Sequence, residues 1–116
     1  MKHETLLQTH LLLVAPEHLP SLRLFRRNIA TANMRGYKVQ FGIPGQCDLY
    51  GLLRGGRHLE IELKSATGSL KPDQKAWRAW CIEWGITHLV LKAQKEETIE
   101  ETVERWVVEL SVLVVR

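Results

Sequence analysis

Little in this 116-residue chain favours an extracellular or membrane-spanning role. Its two cysteines, Cys47 and Cys81, form neither a C-x-x-C pair nor a spaced metal quartet, and they are too few for a disulfide framework. A reducing cytoplasm is the compartment this implies. Long hydrophobic runs are also missing: Val112 to Val115 is far shorter than the ~20 residues a bilayer requires. The stretch Leu6 to Ala15 is interrupted by Gln8, Thr9 and His10 and lacks a cleavage site, so it reads as a helix and not a signal peptide. Proline is scarce enough that Pro16, Pro20, Pro44 and Pro72 each read as punctuation. No strong excess of one charge exists overall, since the net charge is only +3. The charge is unevenly divided, however: residues 1–90 hold 12 basic and 7 acidic side chains, the remainder 4 and 6. The basic part favours a polyanionic partner.

The length suits one domain, spanning 1–116, that buries roughly two-thirds of its unfolded surface. Leu7, Leu11 and Val14 recur at helical spacing over residues 4–14, with Leu6 and Leu13 widening the stripe until Pro16 and Pro20 end it. Leu22 to Asn28 fits a strand or one face of a helix, and a strand is preferred. Tyr37 to Phe41 alternates as a strand, and Gly42-Ile43-Pro44-Gly45 forms the turn after it. Asp48 to Leu53 and His58 to Lys64 are joined through Gly55-Gly56, so these runs predict a three-stranded antiparallel meander. Pro72 to Trp84 reads as a helix opened by proline, with Trp77, Trp80, Cys81 and Trp84 as a stripe facing the sheet. A base-stacking platform is the less favoured reading of those tryptophans. Gly85 caps the helix, and Ile86 to Leu91 is a buried strand expected to run parallel to a neighbour. Lys95 to Leu110 is a helix with its glutamates on a solvated face. The β-prone tail, Ser111 to Val115, is expected to be exposed and free to pair with another chain.

The strand from His58 to Lys64 carries the chemistry. Its period of two puts Glu60, Glu62 and Lys64 on one face and Leu59, Ile61 and Leu63 on the other. The hairpin brings Asp48 beside that face. Asp48, Glu62 and the Leu63 carbonyl are hard oxygen donors suited to Mg²⁺ or Mn²⁺, and Lys64 is placed to orient or deprotonate a water. An E-x-K triplet alone is more often an exposed cross-strand ion pair. The acid one hairpin upstream is what raises the catalytic reading. Arg26 and Arg27 are candidate phosphate contacts.

Arg26-Arg27-Asn28, the Gly42 to Asp48 turn, the Gly55-Gly56 hairpin, Glu62-Leu63-Lys64, the Ser65 to Gly68 loop and Pro72-Asp73-Gln74 follow one another in a specific order. Together they resemble the VRR-NUC family of the PD-(D/E)XK nuclease superfamily, over Leu24 to Leu91. The resemblance implies a restriction-endonuclease-like α/β fold, a central mixed sheet flanked by helices in three layers. It implies Mg²⁺- or Mn²⁺-dependent DNA cleavage, with Asp48 and Glu62 as metal ligands, Lys64 as the catalytic lysine and Gln74 supporting the site or touching substrate. Arg26, Arg27, Asn28 and Lys71 are then the nucleic-acid contacts. Stand-alone members resemble Holliday-junction resolvases of phage or bacteria, which implies branched DNA as partner and a homodimer as the working unit. Two departures stand out. Cys47 replaces the proline that usually precedes the aspartate. The family's first-helix glutamate has two candidates, Glu4 and Glu17, of which Glu4 is preferred because Glu17 lies between two prolines. Glu60 is assigned a structural or supporting role. The alternatives are a non-catalytic nucleic-acid-binding module and a structural subunit in which Glu62 and Lys64 are simply an ion pair.

Overall fold

The computed structural model describes residues 3–114. Helix α1 (His3–His18) is followed by β1 (Leu22–Arg26), β2 (Ala30–Met34), β3 (Tyr37–Phe41), β4 (Leu49–Leu53) and β5 (Arg57–Lys64). Helix α2 (Pro72–Glu83), β6 (Thr87–Lys92) and α3 (Ile99–Val114) complete the chain. The main sheet is mixed, in the order β1-β4-β5-β6, with β6 parallel to β5 and the other neighbours antiparallel. The α2 crossover accounts for the parallel pair, because two parallel strands need a long connection.

Each sheet face has its own cover. Leu49, Leu53, Leu59, Ile61, Leu63 and Leu91 pack with Leu7, Leu11 and Ala15 of α1 and with Val103, Trp106, Val107 and Leu110 of α3. Glu60, Glu62 and Lys64 point the other way and meet Trp77 and Gln74 of α2. Helices therefore flank the sheet on both sides, and every residue of β5 from Leu59 to Lys64 is buried. No described helix is long and apolar enough to cross a membrane.

Several local expectations change. Helix α1 runs through Pro16 to His18 instead of stopping there. Packing of Leu11 and Ala15 in the core holds the last turn despite the hydrogen bond that Pro16, lacking an N–H, cannot donate there. Its stripe is narrower than expected, leaving Leu6 and Leu13 exposed. Strand β3 is present, but it pairs with β2 in a separate two-stranded sheet and not with β4. Strand β1 takes the place beside β4 that β3 was expected to fill, so the antiparallel trio is β1-β4-β5. The tail does not form a strand: α3 continues through Val114, and Val115 lies outside the described residues. β6 is an edge strand and is not fully buried, since Val90 is exposed. Along the acidic run, Glu96, Glu100, Glu101 and Glu104 are exposed as expected, whereas Glu97 forks onto Arg105.

The turn leading to Asp48 is pressed against the start of α2. Gly45 has φ +93°, and a Cβ there would lie 2.2 Å from the Asp73 carbonyl oxygen. Gly55 is also left-handed but has open space around it. Gly45→Ala should therefore destabilise the protein by at least ~2 kcal/mol, and Gly55→Ala by about 1 kcal/mol, as read from urea denaturation midpoints.

Candidate active site

The β4–β5 ladder ends with Leu49 opposite Ile61. Continuing that register by one residue sets Asp48, in the bend before β4, across from Glu62. Glu62 is only 2% exposed. Its Oε1 accepts a hydrogen bond from Gln74 Nε2 at 3.0 Å and lies 3.7 Å from Lys64 Nζ. Its Oε2 is buried without a partner. Burial, and then the neighbouring Asp48 carboxylate, push the Glu62 carboxyl up to about 8. Asp48 is raised too, first by burial and then by Glu4, against the opposing pull of Lys64. Two carboxyls so placed do not ionise independently: one proton, or one cation, satisfies the pair.

Gln74 joins the lysine to the acid. It sits three residues after Lys71, the N-cap that precedes the first residue of α2. Its Oε1 accepts from the Lys71 backbone N–H at 2.9 Å and from Lys64 Nζ at 2.8 Å, while its amide nitrogen donates to Glu62. The first contact is the glutamine half of a helix capping box, so the residue that starts α2 also orients the site. The amide offers an acceptor to the lysine and a donor to the carboxylate at once.

Glu4, on the first turn of α1, accepts a hydrogen bond from the Ser65 N–H at 3.1 Å, and its charge is felt at Asp48. Glu17 is exposed thirteen residues further along the helix, roughly 20 Å away at 1.5 Å per residue. Between the two candidates, Glu4 is the one beside the site. Among the described residues no three His, Cys, Asp or Glu side chains close into a metal-holding cluster. The donor set is two carboxylates, one with a free buried oxygen, and Leu63, which lies past the last β4–β5 pair. Oxygen donors of this kind fit Mg²⁺ or Mn²⁺.

Glu60 is engaged elsewhere. Arg27 forks onto both of its oxygens, His58 Nε2 meets Oε2, and Trp77 Nε1 donates to Oε1 at 3.1 Å. Burial acts to raise this carboxyl, but the hydrogen bonds from Arg27 and His58 hold it below the ordinary range. Arg27 is thus turned inward, not outward towards phosphates. Its guanidinium also donates to the Cys47 carbonyl, its backbone N–H donates to the Asp48 carbonyl at 2.8 Å, and it lies over the Tyr50 ring. Arg27 consequently holds the backbone that presents Asp48. Arg26, which reaches Thr9, and Asn28 and Lys71 remain exposed.

Cys47 is fully buried with its sulfur 3.1 Å from His88 Nε2. Burial, and then Glu62 and Glu60, push the Cys47 thiol well above its ordinary value, and burial takes Cys81 up to about 11. Neither thiol is a nucleophile at neutral pH. His58, His88 and Trp77 were not singled out as site residues. For the first two, the only signal was their position on the polar beat of β5 and β6.

The tryptophans depart from expectation. The line facing the sheet is Gln74, Trp77 and Cys81, and Trp80 and Trp84 are rotated about 60° off it by the 3.6-residue turn. They are 41% and 67% exposed and stack in a row, with ring centroids 4.9 Å apart from Trp77 to Trp80 and 5.5 Å from Trp80 to Trp84. A groove of about 440 Å³ lined by Ile43, Pro44, Asp73, Ala76, Trp77 and Trp80 runs along this flank. No protein-family model matches the chain, and no curated protein matches it.

Two measurements test this geometry. Glu60→Ala or Arg27→Ala leaves a charge in the interior without its partner and should cost about 3 kcal/mol in urea denaturation, with Asp48 loosened as a result. The second concerns pH without divalent metal. Glu62 titrates at about 8 in the fold against an ordinary 4.5, so between those values the folded chain holds a proton the unfolded chain has lost. Stability should fall as pH rises through that window, and Glu62→Gln should flatten the slope.

Proposed function

We propose that this chain is a divalent-metal-dependent DNA endonuclease with a restriction-endonuclease-like fold, a VRR-NUC-type member of the PD-(D/E)XK superfamily. The observation that carries the reading is the buried, unpartnered Oε2 of Glu62, set beside Asp48 and linked through Gln74 to Lys64. Asp48, Glu62 and the Leu63 carbonyl would hold Mg²⁺ or Mn²⁺. When bound, such an ion supplies Lewis-acid polarisation of a phosphoryl oxygen and lowers the pKa of a bound water.

The residues have separable tasks in this reading. Glu62 and Asp48 share one site in which a cation can take the place of their shared proton. Lys64, only 7% exposed, is held by Gln74 Oε1 so that its ammonium keeps a fixed position next to the carboxylates. From there it steadies the attacking water or the charge that develops on the phosphate. Arg27 and Glu60 keep the Asp48 backbone in place, and the exposed Arg26, Asn28 and Lys71 face the substrate backbone. The substrate class is branched DNA such as a Holliday junction, cut in the cytoplasm by two copies acting together so that two sites meet two strands.

With Mn²⁺ or Mg²⁺, the purified protein should nick junctions or flaps. Asp48→Ala, Glu62→Ala and Lys64→Ala should each lower the rate by at least ~100-fold, and Gln74→Ala by about tenfold. Mn²⁺ binding by calorimetry should be lost in Asp48→Ala and kept in Lys64→Ala. Equal cutting by parent and Glu62→Ala would sink the proposal. Metal-independent binding without cleavage, surviving Asp48→Ala, would instead mark a non-catalytic binding module.

A further inference from the structure

Between Glu17 and Asp48 the chain contains no acidic residue, yet it carries Arg23, Arg26, Arg27, Arg35 and Lys38. The centre of this stretch is the β2–β3 hairpin, whose strands pair with each other and pack substantially on no other element. From Arg23 to Gln46 no described side chain environment is fully buried. A lone two-stranded ribbon is marginal in water, so one that projects from the body unsupported is built to meet something.

The hairpin's two faces differ. Opposed residues in an antiparallel pair share a face, and the register sets Thr31 opposite Gln40 and Asn33 opposite Lys38. One face is therefore composed of Thr31, Asn33, Lys38 and Gln40, all hydrogen-bonding and none acidic. The tip is a two-residue turn at Arg35 and Gly36, with φ of 52° and 84°. That is the left-handed pair of a tight hairpin turn, where asparagine or glycine is the unstrained choice for the first position. Placing an arginine there sets a cation at the end of the ribbon despite the backbone cost.

We infer that the β2–β3 hairpin is a DNA-binding arm that lies in the major groove of the duplex flanking the scissile phosphate, with Arg35 and Lys38 on phosphates and Asn33 and Gln40 towards base edges. This rests on the nuclease reading above. A two-stranded ribbon fits the major groove of B-form DNA, and amide and ammonium side chains match its donor and acceptor pattern. The deep, narrow major groove of A-form RNA does not admit it. A five-residue strand is about 17 Å long, half a turn of duplex. The hairpin's base is tied to the site, because Phe41 leads through the Gly42–Cys47 turn to Asp48 and Arg27, just before the hairpin, bonds to the Asp48 carbonyl.

The test is fluorescence anisotropy of the full-length chain on a junction with long duplex arms, in EDTA and across a salt series. Arg35→Ala/Lys38→Ala should bind about tenfold more weakly, with the salt slope reduced by about two. Asn33→Ala/Gln40→Ala should weaken binding with little change in slope. Lys95→Ala, a cation removed from the exposed loop before α3, should bind like the parent. Circular dichroism checks that each variant is folded. Parental affinity and slope in the Arg35/Lys38 variant overturn the inference. So does a change in sedimentation mass with affinity intact, which would make the hairpin a contact between copies. If the parent binds duplex through the hairpin but cuts nothing, the nuclease reading fails, and the hairpin's contact with the major groove stands without its placement beside a scissile phosphate. If it cuts while the hairpin variants bind normally, the reverse holds, and a parent that binds no DNA removes both.

Discussion

Placing two carboxylates and an ammonium on a central strand is the constraint from which the remaining arrangement follows. An isolated buried charge costs several kcal/mol, so each of Glu60, Glu62 and Lys64 has to be answered by a neighbour. Glu60 is answered fully, by Arg27, His58 and Trp77. Glu62 is answered in part, by Gln74 and a more distant Lys64, with one oxygen left over. The same strand therefore contains a saturated acid and an unsaturated one two residues apart. The saturated acid stiffens the framework, and the unsaturated one retains a capacity to bind.

Much of this was legible because β5 has a strict period of two and Asp48 is one tight hairpin away. The Gly55-Gly56 turn fixes register, and register alone is enough to set Asp48 against Glu62. The helix start before Gln74 was legible from its proline, whereas the place of Gln74 in the site was only what the resemblance implied. What sequence could not supply was partnership across the sheet. Arg27 looked like a surface cation because nothing local shows that it is paired with Glu60, 33 residues away. The β2 strand, Ala30 to Met34, was missed because Ala, Thr and Asn give it little hydrophobic alternation, and its recognition depends on its partner Tyr37 to Phe41. The tryptophan stripe misled because i, i+3 and i+7 spacing defines a face without saying which neighbouring face is buried.

Cys47 illustrates how a local departure can be neutral in geometry. Where the resembling family has a proline, the backbone here is held by two bonds from Arg27, one to each carbonyl of the Cys47-Asp48 pair. A rigid ring is unnecessary when the turn is clamped from outside. The thiol itself is held in hydrogen-bond contact with His88 Nε2 and is not ionised.

The interactions around Glu62 also differ in how far apart they lie along the chain. Lys64 to Gln74 and Gln74 to Glu62 are contacts over 10 and 12 residues, whereas Ser65 to Glu4 closes a span of 61. Contacts between near neighbours in sequence can form early and without large loop-closure entropy. The Asp48–Glu62 pair and its lysine thus belong to a short, self-registering segment, from the Asp48 turn to the first turn of α2. Helices α1 and α3 arrive from the two ends of the chain to shut the back of the sheet. The site residues come from the middle of the chain, and the helices at its two ends supply the apolar packing behind them.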